Sequence, residues 1–501
     1  MATKTGAVLL CQPTGTGKTV TFSRVLRNRY ELGDGRQMVL APRREIVFQT
    51  ADKVAGFLIE PGIVMAGYTY RPGKAVQVAS VDTLRSWVKR GKIKLDSGTM
   101  LVVDEAHRSM SKTYLWLIEA AKDGGADVLG PTATPIRADG VGLYPTYEHM
   151  VTELTMVDAI RNGWLVKPEY RIPFVPDLSG IKIKGGDFSE EDLDRILNQK
   201  VLVGDIVDNW IKYASGKPTL VFASGVKHSM AIAEEFKRVG LNFVHIDGDT
   251  AGHVRNDAIK ALRAHKIDGI TNCGVYTEGA DIVNISCIVD AGPTKSIGKD
   301  IQKKGRGSRP VFASGFDLDD VQGRLAAIAA SEKPSFLILD HAGNFYRHGR
   351  FDRNVPWELC AGKEIIEKDK EKREKARASF TCSECHKVFA GQLYCPYCGT
   401  KIELRGKMKD YLEAELVSLT QKQMAEIDDV ITTMDKQRFY LEALGWVLDK
   451  KKKVGYAARV FQAKFGEWPD NDWYMMEPLV PSVETKNYIR HRLIHHAKSR
   501  Q

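Results

Sequence analysis

At 501 residues, 43% apolar and 27% charged, the chain has enough apolar mass for roughly two to four folded domains. A formal net charge of +10 favours an anionic partner, nucleic acid before a membrane surface, although a solvated basic face is the plainer alternative. No apolar run approaches the ~20 residues that span a bilayer, which argues against a membrane protein. Met1–Cys11 is also too short and poorly flanked for a signal peptide.

In chain order, Gly6–Cys11 reads as a buried strand and Thr19–Asn28 as the helix after it. Gln37–Ala41, Ala75–Ala79, Met100–Val103 and Asp127–Leu129 are predicted strands, with helices over Glu45–Leu58, Thr83–Lys89 and Tyr114–Ala121. A second alternating block follows: strands at Thr219–Ala223, Asn242–Ile246, Gly269–Thr271, Cys287–Asp290 and Phe336–Leu339, with helices at Val226–Val239 and Val254–Ala264. Pro168–Phe188, rich in Pro and Gly, is the expected crossing between blocks. Such alternation predicts α/β architecture with two parallel-sheet domains in tandem. The expected division is 1–165 and 166–350 for the two sheets, 351–405 for a charged linker and cysteine module, and 406–501 for a helical C-terminal region.

Between the first strand and helix lies Thr14-Gly15-Thr16-Gly17-Lys18-Thr19. Two glycines let backbone N–H groups turn inward, and the helix N-terminus adds its positive end, so phosphate oxygens find both donors and dipole. Lys18 would reach the terminal phosphates and the Thr19 hydroxyl would ligate Mg²⁺. Asp104 and Glu105 follow an apolar strand; the first suits a metal-holding carboxylate and the second a group that activates water, unless they are merely a surface acidic pair. In Gln302-Lys303-Lys304-Gly305-Arg306-Gly307-Ser308-Arg309, two arginines can point one way toward a phosphate, while Lys303 and Lys304 read equally as a basic nucleic-acid patch.

Taken together in order, these stretches make the sequence resemble a superfamily-two helicase of the DEAH-box type, over about Ala7–Arg347. Thr14–Thr19 matches motif I and Asp104–His107 motif II. Ala41–Glu45 with Gln49 resembles motif Ia, Ser80–Leu84 motif Ib and Thr132–Thr134 motif III. Val221–Ser224 resembles motif IV and Thr277–Asp281 motif V, and Gln302, Gly305, Arg306 and Arg309 match motif VI. The resemblance implies two RecA-like domains with ATP between them and a nucleic-acid strand across both. Thr14, Gly15, Thr16, Gly17, Lys18, Thr19, Asp104, Gly279 and Asp281 would then contact the nucleotide, Thr19 and Asp104 through Mg²⁺. Glu105, Gln302, Arg306 and Arg309 would be catalytic, and His107, Thr132 and Thr134 would couple hydrolysis to domain motion. Arg43, Thr83, Ser224 and Thr271 would touch the sugar-phosphate backbone. Two departures stand out. The chain begins close before motif I, without the upstream Gln-containing adenine clamp, so either the start is shortened or base selectivity is looser. Motif VI carries Lys303-Lys304 where relatives often have apolar residues.

Of eight cysteines, Cys382, Cys385, Cys395 and Cys398 form two C-x-x-C pairs, the ligand pattern of a closed structural Zn²⁺ ribbon; His386 is expected at the surface. Cys11, Cys273, Cys287 and Cys360 read as reduced thiols, which predicts a reducing, cytoplasmic setting. Leu339–Gly349 and the four-cysteine ribbon resemble bacterial RadD-type repair helicases and related phage proteins. Asp340 and His341 there are expected in a strand-end turn packing the second domain onto the ribbon rather than in a hydrolytic site. The tail aromatics, including Trp446, Trp468 and Trp473, are expected mainly in a small helical core rather than as stacking platforms. The expectation is an ATP-dependent helicase or translocase on single-stranded or branched DNA, with RNA the other track and a repair or single-strand-binding protein as a candidate partner. Alternatives are a duplex translocase or restriction-complex motor, and a binding or annealing module with a vestigial ATPase.

Overall fold

The computed structural model describes residues 6–363 apart from 43, 58–59, 138, 174–177, 179–180, 185, 199 and 278–283; beyond these it describes 366–367, most of 379–400 and most of 433–489. Arg43, Gly279 and Asp281 therefore lie outside the described residues.

The first domain is a seven-stranded parallel sheet. Its elements are β1 (Ala7–Cys11), α1 (Lys18–Leu32), β2 (Arg36–Ala41), α2 (Arg44–Ala55), β3 (Gly62–Val64), β4 (Val76–Ser80), α3 (Val81–Lys89), β5 (Thr99–Val103), α4 (Lys112–Asp123), β6 (Asp127–Thr132), β7 (His149–Val151) and α5 (Met156–Arg161). The order β3-β4-β2-β5-β6-β1-β7 leaves both faces covered. Alternation along β2 shows how: Met38 and Leu40 enter the core under α3 and α4 with Leu9, Leu101 and Leu117. Val39 and Ala41 enter the opposite core, with Phe22 and Leu26 of α1 and Val47 of α2. Gly33, at φ +73° past the end of α1, closes that helix with its N–H on the Tyr30 carbonyl.

The second domain repeats the plan with six parallel strands in the order β12-β13-β11-β14-β15-β8. Its elements are β8 (Pro168–Arg171), a short hairpin β9 (Ile183–Lys184) and β10 (Asp187–Phe188), α6 (Glu190–Leu197), α7 (Lys200–Ala214), β11 (Thr219–Phe222), α8 (Val226–Arg238), β12 (Phe243–Ile246), α9 (Gly252–Arg263), β13 (Gly269–Asn272), β14 (Cys287–Asp290), α10 (Ile297–Lys304), α11 (Val321–Ala329), β15 (Phe336–Asp340) and α12 (Asn344–His348). Leu220, Phe222, Ile270, Ile288 and Ile338 face one core, while Val221, Val289, Leu337 and Leu339 face the other beneath α7 and α8. The stretch read as a plain crossing supplies the edge strand β8, which pairs with β15 from Pro168↔Phe336 to Arg171↔Leu339.

That edge is covered by the cysteine module. Its hairpin, β16 (Ser379–Thr381) with β17 (Val388–Ala390), bridges Arg171 through Lys387, and the Ile172 N–H donates to the His386 carbonyl at 3.0 Å. Arg171 also donates to the Cys385 carbonyl and lies over the Tyr213 ring. An unpaired edge strand invites adventitious pairing, and the ribbon occupies it. His386 is accordingly half-buried against Tyr213 rather than free at the surface.

The C-terminal unit packs α13 (Thr433–Asp449) on α14 (Gly455–Phe465). Tyr440, Phe461 and Trp473 are buried there, Trp446 is partly buried against that core, and Trp468 is exposed. Four of these five aromatics therefore serve packing.

Candidate nucleotide and nucleic-acid site

Three adjacent strands, β5, β6 and β1, deliver motifs II, III and I to one edge of the first sheet, the carboxyl edge where ligands of such sheets sit. Past β1, Gly15 and Gly17 take φ of +87° and +84°, a left-handed conformation that side-chain-bearing residues avoid. Gly17 caps α1, so the turn ends at a helix N-terminus with Lys18 and Thr19 in its first turn. The Thr16 hydroxyl donates to the Pro13 carbonyl at 2.8 Å and tightens the loop.

Asp104 is buried at the end of β5, its Oδ1 accepting the Glu105 N–H at 2.9 Å. Burial pushes its carboxyl up to about 7, the neighbouring Glu105 carboxylate adds to this, and Lys18 works against it. A carboxylate so placed gains from a cation. Glu105 Oε2 is buried without a hydrogen bond, 3.5 Å from His107 Nδ1. His107 Nδ1 is in turn 3.4 Å from the Thr132 hydroxyl, which donates to the Thr134 carbonyl at 3.0 Å and accepts the Thr134 N–H at 3.2 Å. Motif II and motif III are thus one hydrogen-bonded unit.

The second domain closes on this edge. A β-carbon on Gly15 would stand 3.1 Å from Ser308 Oγ and 3.7 Å from Arg309 Cγ, and the Val166 N–H donates to the Ser308 carbonyl at 2.8 Å. Gln302 and Gly298 of α10, with Thr277 and Lys299, share a cleft of about 220 Å³ with His107, Arg108 and Thr134. Arg306 is buried, its guanidinium donating to the Thr277 carbonyl at 2.7 Å from Nη2. Arg309 is thus the motif VI arginine directly against the phosphate loop, while Arg306 ties motif VI to motif V.

Lys303 and Lys304 are not a basic patch. Both are buried: Lys303 bonds Asp290 and the Gly292 carbonyl, and Lys304 stands 2.7 Å from Asp300 and 3.8 Å from Asp290. Asp340 belongs to the same cluster, accepting backbone N–H groups from Ala342, Asn344 and Phe345. It shapes a turn, as does Asn344, which bonds Asp290 and the Thr294 N–H. The ribbon meets this region through Val388, on the core holding Phe345 and Phe351, as well as through β8.

The expected backbone contacts divide. Thr83 lies at the start of α3, accepting from the Ser80 hydroxyl at 2.8 Å and the Ala66 N–H at 3.2 Å. Ser224, at the end of β11, shares its hydroxyl with His228 Nδ1 at 2.8 Å and Asp194 at 3.5 Å. Thr271 does not face a strand-binding surface: it is fully buried in β13, donating to the Ser229 carbonyl at 3.0 Å. The alternation of β13 turns it into the sheet, a fact that motif order alone does not reveal.

In the cysteine module the four Sγ atoms lie within 4.8 Å of one another, Cys382 and Cys398 at 3.3 Å and Cys385 and Cys395 at 3.6 Å. Four thiolates around one Zn²⁺ at ~2.3 Å would stand nearly that far apart, so the donor set fits a tetrahedral ion. The hydrogen bond from Cys395 brings the Cys385 thiol down to about 5.

A glycine turn opening a helix and a buried carboxylate on one α/β sheet, met by an arginine-bearing turn from a second, form an interdomain cleft of the kind that two-domain nucleotide-driven motors use. Residues 2–137 match the type III restriction enzyme res subunit family, and residues 202–310 match the helicase conserved C-terminal domain. The 51.5 kDa protein of a Lactococcus phage (isolate 7-9) is 28% identical over 427 residues, covering 84% of this chain and 83% of that one. A Saccharomyces cerevisiae protein named as an ATP-dependent helicase, IRC3, is 30% identical over 59% of this chain and 45% of its own. Its namesake in Schizosaccharomyces pombe is 31% identical over 55% of this chain and 47% of its own, so the chain spans about half of either yeast relative. The two matched regions are those of a superfamily-two helicase, and with the named relatives they support an ATP-hydrolysing, helicase-type nucleic-acid motor. No helix among the described residues is long and apolar enough to cross a membrane.

Proposed function

We propose that the protein is an ATP-driven DNA helicase or translocase acting on single-stranded or branched DNA, with catalysis at the interdomain cleft. The observation that carries this is the approach of motif VI to the phosphate loop, where Gly305 packs on Thr14 and Arg309 lies beside Gly15. Lys18 and the loop N–H groups hold the phosphates; Thr19 and Asp104 would hold Mg²⁺, which would supply positive charge against the phosphoryl oxygens. The orphaned Glu105 Oε2 orients and deprotonates the attacking water, with Gln302 lining the same cleft. Arg309 brings positive charge from the second domain, so the site is complete only when the domains are closed. The linked His107, Thr132 and Thr134 pass the state of the nucleotide to α10. DNA is favoured over RNA by the resemblance of the ribbon region to RadD-type helicases, and Thr83 and Ser224 supply contacts without base specificity. Zn²⁺ on the four cysteines has a structural role.

ATP hydrolysis measured with no nucleic acid, single-stranded, duplex and forked DNA, and RNA tests this reading. Strong stimulation by one DNA form, lost in Lys18→Ala and Glu105→Gln while DNA binding survives, is the expected result. Stimulation by RNA alone would remove the DNA assignment, and turnover by either variant would remove the residue roles.

A further inference from the structure

The outer face of α3 and the turn after it carry Arg85, Lys89, Arg90, Lys92 and Lys94, five cations in ten residues with no acidic residue among them. They equal half of the formal net charge of +10. No acidic side chain pairs with any of the five among the described residues. Lys89, Arg90, Lys92 and Lys94 are exposed. Arg85, Ser86, Lys89 and Arg90, with Asp82, line one shallow groove. Two tryptophans hold several of these cations in place. Arg85 and Lys89 lie 5.9 and 5.2 Å from the Trp116 ring, and Lys92 lies 3.5 Å from that of Trp87. A charge held over a ring has less freedom to lose on meeting a phosphate, and the ring shields its stem from water.

The stripe begins at the nucleic-acid edge of the domain. Ser80 and Thr83 open α3 at the carboxyl end of β4, and the helix then runs back along the flank of the sheet for ~13 Å at 1.5 Å per residue. A single strand lying across the carboxyl edges would meet Thr83 but not Arg90 or Lys92. A duplex, about twice as wide and with phosphates on two strands, would meet both.

We infer that this stripe is a docking surface for a duplex arm flanking the strand in the cleft, recognised through its phosphates. The inference rests on the proposed strand path past Thr83. It gives the first domain a second, sequence-independent contact and favours a junction over a free single strand.

The test is the triple variant Lys89→Glu, Arg90→Glu and Lys92→Glu. All three side chains are exposed and none belongs to the ATP site, so hydrolysis without nucleic acid should be unchanged. Binding is measured by fluorescence anisotropy for a short labelled single strand and for the same strand carrying a duplex arm, across a salt series. The variant should hold the bare strand as wild type does and bind the armed substrate about tenfold or more weakly. Its salt dependence on that substrate should be shallower by about 0.9 for each phosphate it no longer neutralises. Equal weakening on both substrates, or none on either, would overturn the duplex-arm surface. Were wild type to bind only the armed substrate and the variant neither, the stripe would stand and the strand path would fall.

Discussion

Gly305 has no room for a side chain: a β-carbon there would stand 1.9 Å from Thr14 Cγ2. That close approach fixes how near the two domains can come, and an ångström of misplacement at a phosphoryl-transfer site is costly. Gly305→Ala is expected to lower kcat by at least about tenfold, with circular dichroism and unfolding midpoint near wild type. A wild-type kcat would mean that the closed arrangement is not the catalytic one. Lys304 makes a different demand, because Asp300 and Asp290 depend on it for compensation. Lys304→Met should cost about 3–5 kcal/mol of second-domain stability in urea unfolding, since removing one partner leaves buried charge unbalanced. His228 supplies a pH signature. Burial, and then His341, take it from 6.5 to about 4 in the folded protein. Between those values the unfolded chain binds a proton that the folded chain does not, so stability falls as pH drops from 6.5 to 4. His228→Gln should remove about one proton from that slope, read from urea midpoints across the window.

At the scale of elements, the motif VI turn is held from behind. The buried Lys333 donates to the Arg309 carbonyl at 2.7 Å. Arg324 bonds the Asn162 carbonyl at 2.8 Å and lies over the Trp164 ring, fastening α11 to the link between the domains. Neither Lys333 nor Arg324 falls within a helicase motif, and no local pattern marks them, because Lys333 acts on a turn 24 residues back in the chain and Arg324 on a link 162 residues back. Lys333→Met is expected to lower kcat while leaving KM for ATP nearly unchanged, as befits a residue that positions Arg309 without binding the nucleotide. A rise in KM alone would argue for a role in binding instead. The ribbon acts on an element too: it covers β8, one of the two edge strands of the second sheet, the other being β12. Cys395→Ser, or stripping with a strong chelator, should abolish bound zinc by elemental analysis and raise aggregation on warming, with basal hydrolysis retained. Wild-type protein free of zinc would refute the metal.

Across the whole molecule, the chain does not leave the first domain behind once the second is built. After Phe351 and Trp357 pack on the second core, Cys360 and Gly362 return to accept the Tyr144 and Gly142 N–H groups at 3.0 and 2.8 Å. The two sheets are joined by this strap as well as by the link at Gly163–Val166. Much of the architecture was legible in advance, because parallel strands buried on both faces are continuous apolar runs and the intervening helices show their own period. The glycine turn before α1 and the paired carboxylates after β5 were legible too, since each is a run of adjacent residues. The two C-x-x-C pairs were equally local. Other features were decided only by tertiary structure. Lys303 and Lys304 read as surface charge until Asp290 and Asp340 arrive beside them from β14 and β15, with Asp300 of their own helix buried in the same cluster. Thr271 reads as a nucleic-acid contact until its strand turns it inward. The α3 cations gain a direction only from the folded structure, through two tryptophans and the neighbouring Thr83. Local patterning determines which groups a turn can present, because backbone and spacing set it. Burial, pairing and the distance between Gly15 and Arg309 depend on residues far apart in the chain, and only the folded packing brings those together.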